Sequence, residues 1–224
     1  MSPTIMDPAL PSCRTRIQGI GEALAADRVP TGGPVEVYEA IGRHVFVRLV
    51  GAGLLPESRV LDVGCGGLRC GYWLIHFLAP DRYFGIEPNE AMLEAGRRNL
   101  LEPGLLEAKR PRFDSNKSFD FGVFGENFDF VVARSIWSHA SLRQISGMLE
   151  QFMLHSSESA AFLASYVETA REDDEYRGDG FSWPAIRYRE ETLDRAIRAA
   201  GLRAEFQDTV QQQRWIEITR PPAS

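Results

Sequence analysis

Apolar residues recur along the chain in two alternating rhythms. Between Val35 and Leu54 they fall every four positions (Val37, Ile41, Val45, Leu49), the spacing of a helix with one buried face. The short apolar run Arg59–Val63 follows, in the form of a strand covered on both sides. The pattern then repeats. A helix is expected over Leu68–Leu78, turning Trp73, Leu74, Phe77 and Leu78 toward a sheet, then a strand at Tyr83–Ile86. Asn89 caps a further helix carrying Ala91, Met92, Ala95 and Leu100. A weak strand is expected near Ala108–Phe113 and a clear buried one at Phe128–Ala133. Ser141 and Gln144 make a capping-box pattern, opening a helix with Leu142, Ile145, Met148, Leu149 and Phe152 on its inner side. A strand at Ala160–Tyr166 is followed later by a helix at Glu190–Ala200, stopped by Gly201. Two strands, Arg203–Asp208 and Arg214–Thr219, close the chain across a link too short for a helical crossover.

Strands alternating with helices imply an α/β domain: three layers around a mostly parallel, doubly wound sheet, with an antiparallel hairpin at its last edge. Two segments stand outside the rhythm. Residues 1–33 are proline-bearing and end in the breaker TGGP, with one weakly amphipathic stretch from Ile17 to Leu24, and read as an N-terminal arm ordered only in part. The domain proper spans 34–224. Inside it, residues 168–188 turn acidic (REDDE) and then aromatic and proline-bearing (GFSWPAIRY), an insertion placed where a lid would sit.

Composition narrows the class. With 224 residues, 44% of them hydrophobic and 25% charged, the chain can build one substantial core. A formal net charge of −6 argues against a surface made to track nucleic acid or anionic lipid. No apolar run reaches the roughly 18 residues of a membrane helix, and the first residues lack the pattern of a secretory signal. Three cysteines, Cys13, Cys65 and Cys70, are too few and too scattered for a disulfide framework, which suits a reducing cytoplasm. His44, His76, His139 and His155 are dispersed, so no metal cluster is expected.

Chemistry concentrates in VLDVGCGGLRCG, Val60–Gly71. Glycine directly after a core strand weakens packing, so either a tight turn or a ligand that approaches the backbone requires it. Two acids favour the ligand. Asp62 lies two residues before the first glycine, and Glu87 ends the next strand 25 positions on, where a carboxylate accepts ribose hydroxyls in such sheets. Asp62 would repel a pyrophosphate but suits a cationic ligand carrying an amino group and a ribose.

VLDVGCGGLRCG together with YFGIEPNEAMLEAG resembles motif I and the following acidic-loop motif of the class I S-adenosylmethionine-dependent methyltransferases. FDFVVARSIWSHA is similar to their fourth-strand motif and FLASY to their fifth strand, and the resemblance runs from about Val35 to Thr219. It implies a Rossmann-like seven-stranded sheet, S-adenosyl-L-methionine as cofactor and methyl transfer to an oxygen or nitrogen of a small molecule. By the same resemblance Asp62, Gly64 and Gly66 would hold the methionine end and Glu87 the ribose, supported by Asn89. Asp120 and Phe121 would hold the adenine, unless Asp120 is only a turn residue. Cys65, Pro88, Arg134 and Ser135 complete the expected cofactor contacts. Leu68-Arg69-Cys70 departs from the family's small residues, and Arg69 is a candidate for the methionine carboxylate.

His139, after the fourth strand, is the candidate general base; its alternative is a helix cap or packing under the loop. Tyr38, Trp137, Phe181, Trp183 and Tyr188 are the expected acceptor contacts, or else pack the insertion onto the body. No NPPY-like tetrapeptide follows the fourth strand, which argues against amino-group methylation of nucleic acids. A nicotinamide-dependent oxidoreductase, a non-catalytic S-adenosylmethionine-binding protein and transfer of another part of the same cofactor stay open, as does a homodimer.

Overall fold

Residues 60–63 sit in the middle of the sheet because their side chains find apolar partners on both faces. In the computed structural model, which describes residues 17, 19–26 and 35–222, all four are buried. Leu61 and Val63 join one core, with Phe84, Val131 and the inner faces of α6 (Leu142–Leu154) and α7 (Glu190–Ala199). Val60 joins a second core on the opposite face, with Val132, Leu163 and residues of α2 (Tyr38–Gly51), α3 (Gly71–Phe77) and α4 (Glu90–Leu100). The result is the expected three layers.

The strands are β1 (Val60–Val63), β2 (Tyr83–Ile86), β3 (Arg112–Asp114), β4 (Phe128–Ala133), β5 (Ser156–Glu168), β6 (Arg187–Tyr188), β7 (Arg203–Val210) and β8 (Gln213–Thr219). Seven run in the order β3-β2-β1-β4-β5-β8-β7, with β6 added beside the end of β5. From β3 to β5 every pairing is parallel; β8 is antiparallel to both β5 and β7. The closing hairpin turns through Gln211 and Gln212, both left-handed at φ +51° and +64°, which matches the twist of its strands.

Several boundaries differ from the sequence expectation for local reasons. A 3-10 turn over Val35–Val37 precedes α2. Leu68 is left-handed (φ +62°), so α3 begins at Gly71, and its buried positions are Tyr72, Leu74 and Ile75 rather than Trp73 and Phe77. The stretch expected as one weak strand splits: α5 (Leu105–Lys109) ends at a left-handed Arg110 (φ +46°), and β3 starts beyond it. Part of the N-terminal arm forms α1 (Ile20–Ala26), with Ile17 and Leu24 buried and the helix packed on α2 and α4. The rest of residues 1–33 lies outside the described residues. Among those described, no helix is long and apolar enough to cross a membrane.

Candidate active site

The strand order reverses between β1 and β4, so the chain leaves their carboxyl ends in opposite directions and opens a crevice between them. A cavity of about 790 Å³ lies there, within the ordinary range of ligand sites, roughly 300–1,000 Å³.

Its floor is the glycine loop. The N–H groups of Gly64 and Cys65 both donate to the Ile86 carbonyl, at 2.8 and 3.1 Å, tying the end of β1 to the end of β2. Gly64 and Gly66 are left-handed at φ +70° and +55°, and a Cβ on Gly64 would collide with Ile136 Cδ1. The turn itself therefore requires these glycines, and they are not by themselves the sign of a ligand. Gly42 and Gly96 let α2 and α4 pack directly on the loop, since a Cβ on either would strike the backbone of Arg69 or Gly67.

The charged groups on this floor are more telling. Glu87 Oε2 accepts the Gly66 N–H at 2.9 Å and Oε1 accepts the Asn89 N–H at 2.7 Å, so the carboxylate is fixed in orientation beside the cavity. Asn89 in turn caps α4, its Oδ1 accepting the Met92 N–H at 3.1 Å. Asp62 is buried and accepts the Tyr83 hydroxyl at 2.9 Å. Burial pushes its pKa up to about 7, against the pull of that hydrogen bond, with the charge of Glu87 raising it further. Two guanidinium groups line the same cavity. Arg69 lies 4.6 Å over the Tyr38 ring and Arg134 follows β4; burial, and then the nearby Arg69, push Arg134 down to about 10. Cys65 and Cys70 also line the cavity, and burial holds both thiols protonated, Cys70 up to about 12.

The other end of the cavity is built from the β4–α6 loop and the insertion. Ser135 is left-handed (φ +65°), its N–H donating to Ser165 Oγ at 2.8 Å and its hydroxyl accepting Gln213 Nε2 at 2.6 Å. His139 Nδ1 lies 2.9 Å from the Ser182 carbonyl. A carbonyl only accepts, so Nδ1 carries the hydrogen and Nε2 keeps its lone pair. Burial lowers the His139 pKa, the Ser182 carbonyl partly opposing this, so the ring is neutral at pH 7. Phe181 and Trp183 lie beside the imidazole at 5.6 and 4.0 Å between centroids. Backbone bonds from Ser182 to His139 (2.8 Å) and from Ile186 to Ser138 (2.8 Å) pin this part of the insertion to the loop.

Of the residues expected at the site, Asp62, Gly64, Cys65, Gly66, Arg69, Glu87, Pro88, Asn89, Arg134, Ser135, His139, Phe181 and Trp183 line this one cavity. Five lie elsewhere. Phe121 and Trp137 are wholly buried in the core between sheet and α6. Tyr188 is buried with its hydroxyl donating to the Ala140 carbonyl, and Tyr38 is buried with its hydroxyl donating to the Gly67 carbonyl, so both brace loops from behind. Asp120 closes a local turn through its Oδ1 and the Gly122 N–H. Met92, Lys117, Phe119, Ile136 and Gln144 line the cavity without having been expected. Met92 was within reach of inference, standing in the first turn after the Asn89 cap. Phe119 was not, because its position depends on a left-handed backbone (φ +57°) that nothing in its residue type announces.

Residues 61–160 match the family model of a methyltransferase domain. That match covers 100 of the 224 residues, and the strand order with its closing antiparallel hairpin is the class I methyltransferase fold. No curated protein matches the sequence. Among solved structures, magnesium protoporphyrin IX methyltransferase from Synechocystis PCC 6803, with bound S-adenosylmethionine, is 16% identical at a TM-score of 0.64, covering 95% of this chain and 100% of that one. The DhpI complex with S-adenosylhomocysteine is 14% identical at 0.65, covering 92% and 98%. An S-adenosylmethionine-dependent methyltransferase from Clostridium acetobutylicum ATCC 824 is 12% identical at 0.62, with the same coverage. At these identities the likeness is one of fold.

Proposed function

We propose that the protein is an S-adenosylmethionine-dependent methyltransferase acting on an oxygen or nitrogen of a small molecule. The observation that carries this reading is the pairing of charges in the cavity. Asp62, Glu87, Arg69 and Arg134 all line it, two acids and two guanidinium groups, a set that complements an amino-acid zwitterion joined to a ribose. Asp62 is a buried carboxylate that a cation would relieve, and Arg134, whose charge burial disfavours, would be relieved by a carboxylate. Glu87, its oxygens aimed by the Gly66 and Asn89 amides, retains lone pairs for ribose hydroxyls. The purine is assigned to the space between Met92 and Phe119.

A bound sulfonium cofactor supplies an electrophilic methyl group for in-line displacement, a reaction governed mainly by positioning. The chain's part is to fix that cofactor on the carboxylate side and to hold the acceptor at the aromatic end, where His139 Nε2 takes its proton. The insertion 168–188 is read as the lid over the acceptor and residues 34–224 as the catalytic domain, in a cytoplasmic enzyme. S-Adenosylhomocysteine should raise the melting temperature, and a labelled methyl donor should mark an acceptor by mass shift. No stabilisation by S-adenosylhomocysteine would overturn the reading.

A further inference from the structure

Trp183 and Phe181 are large apolar side chains exposed at 74% and 45%, and both line the reaction cavity. They are not loose. The backbone between them donates to the His139 carbonyl at 2.8 Å, and the Asp179 carbonyl accepts the Ser141 hydroxyl at 2.9 Å. The rings are ordered about the imidazole: Trp183 lies 4.0 Å from His139 at 36° and Phe181 5.6 Å at 28°. One side of the indole is thus taken up by His139, while most of the ring stays open at the mouth of the cavity. An open indole held rigidly beside a base is a surface for a flat ring, whose stacking recovers the cost of leaving Trp183 in water.

We propose that the acceptor is a planar aromatic hydroxyl compound, a phenol, lying against Trp183 with its hydroxyl at Nε2 of His139. This rests on the methyltransferase reading above. A hydroxyl fits Nε2 because that atom presents a lone pair to a group that must lose its proton. A phenol fits it better than an aliphatic alcohol, since a neutral imidazole is far closer in basicity to a phenolate, about 10, than to an alkoxide near water's roughly 15.7. In the transfer, the phenolic proton passes to Nε2 as an oxygen lone pair forms the new O–CH₃ bond. The S–CH₃ bond breaks with its electron pair returning to sulfur, leaving a neutral thioether and an aryl methyl ether. The imidazolium then releases its proton to solvent.

The test uses the full chain saturated with S-adenosylhomocysteine, titrated with phenol and catechol against cyclohexanol as the non-planar match, with tryptophan emission as readout. The chain has four tryptophans, Trp73, Trp137, Trp183 and Trp215, so the quench is assigned to Trp183 by its loss in Trp183→Leu. Transfer from a deuterated methyl donor is followed in parallel by mass. The phenols should bind, quench and yield methyl ethers; cyclohexanol should do none of these. Trp183→Leu should raise KM for the phenol by roughly 2–10-fold with kcat held within a few-fold, and Trp183→Phe should recover most of the loss. S-Adenosylhomocysteine affinity should stay the same in both variants. Methylation of cyclohexanol equal to that of phenol, an unchanged KM in Trp183→Leu, or intact S-adenosylhomocysteine binding with no response to phenols would each overturn the inference alone. Failure of S-adenosylhomocysteine to bind would overturn the methyltransferase reading and this inference with it.

Discussion

Asp62 and His139 are both buried titratable groups, and burial moves them in opposite directions: the carboxyl up to about 7, the imidazole down from its ordinary value. For Asp62 the folded pKa lies above the unfolded one. The ligand-free protein therefore binds the extra proton between about pH 4 and 7 and loses stability as pH rises through that window. The cofactor's cation needs the carboxylate, so its binding expels that proton, and affinity should fall by up to about tenfold per pH unit below 7. Asp62→Asn should raise the melting temperature of the ligand-free protein at pH 8, weaken S-adenosylhomocysteine by roughly 10–100-fold and flatten the pH dependence of binding. Calorimetry at pH 6, 7 and 8 measures all three. For His139, turnover at saturating cofactor should fall as pH drops through a midpoint below about 6.5, and His139→Ala should lose that limb together with roughly 10²–10⁴ in rate. An unchanged profile in the variant would assign His139 a packing role. The glycine loop teaches a different lesson at this scale. Val60–Gly71 pointed to the site from the sequence alone, yet Gly64 and Gly66 are explained by backbone geometry, and it is Asp62 and Glu87 that indicate a ligand.

Elements were legible where apolar period and capping agreed. The capping box at Ser141 and Gln144 is formed by both reciprocal bonds, and β1, β2 and β4 occupy the expected runs to within a residue. They were not legible where a non-glycine residue turns left-handed, as at Leu68 and Arg110, because sequence period carries no signal for φ. Aromatic type misled in the same way. Tyr38, Trp137 and Tyr188 looked like acceptor contacts, but their rings are buried supports, while Phe181 and Trp183, of the same chemistry, stay exposed at the cavity. Ser141 joins two elements, capping α6 and donating to the Asp179 carbonyl of the insertion. Ser141→Ala should cost about 1–2 kcal/mol in chemical denaturation and loosen the insertion, seen as faster hydrogen exchange around residues 179–183. Exchange unchanged in that segment would show that Ser141 serves the helix only.

Over the whole molecule, the reversal of strand order between β1 and β4 brings three chain segments together. The loop after β1 gives the turn, the end of β2 gives Glu87, and the loop after β4 gives Arg134 and His139. None of these segments holds a ligand alone, and their convergence is the central claim. It is tested most directly by calorimetric titration of S-adenosylhomocysteine into the full chain at pH 8, alongside Glu87→Ala. Binding at one site per chain is expected, with the variant weaker by roughly 1–3 kcal/mol through unpaired ribose hydroxyls. Absence of binding to the parent protein, or equal affinity in Glu87→Ala, would contradict it.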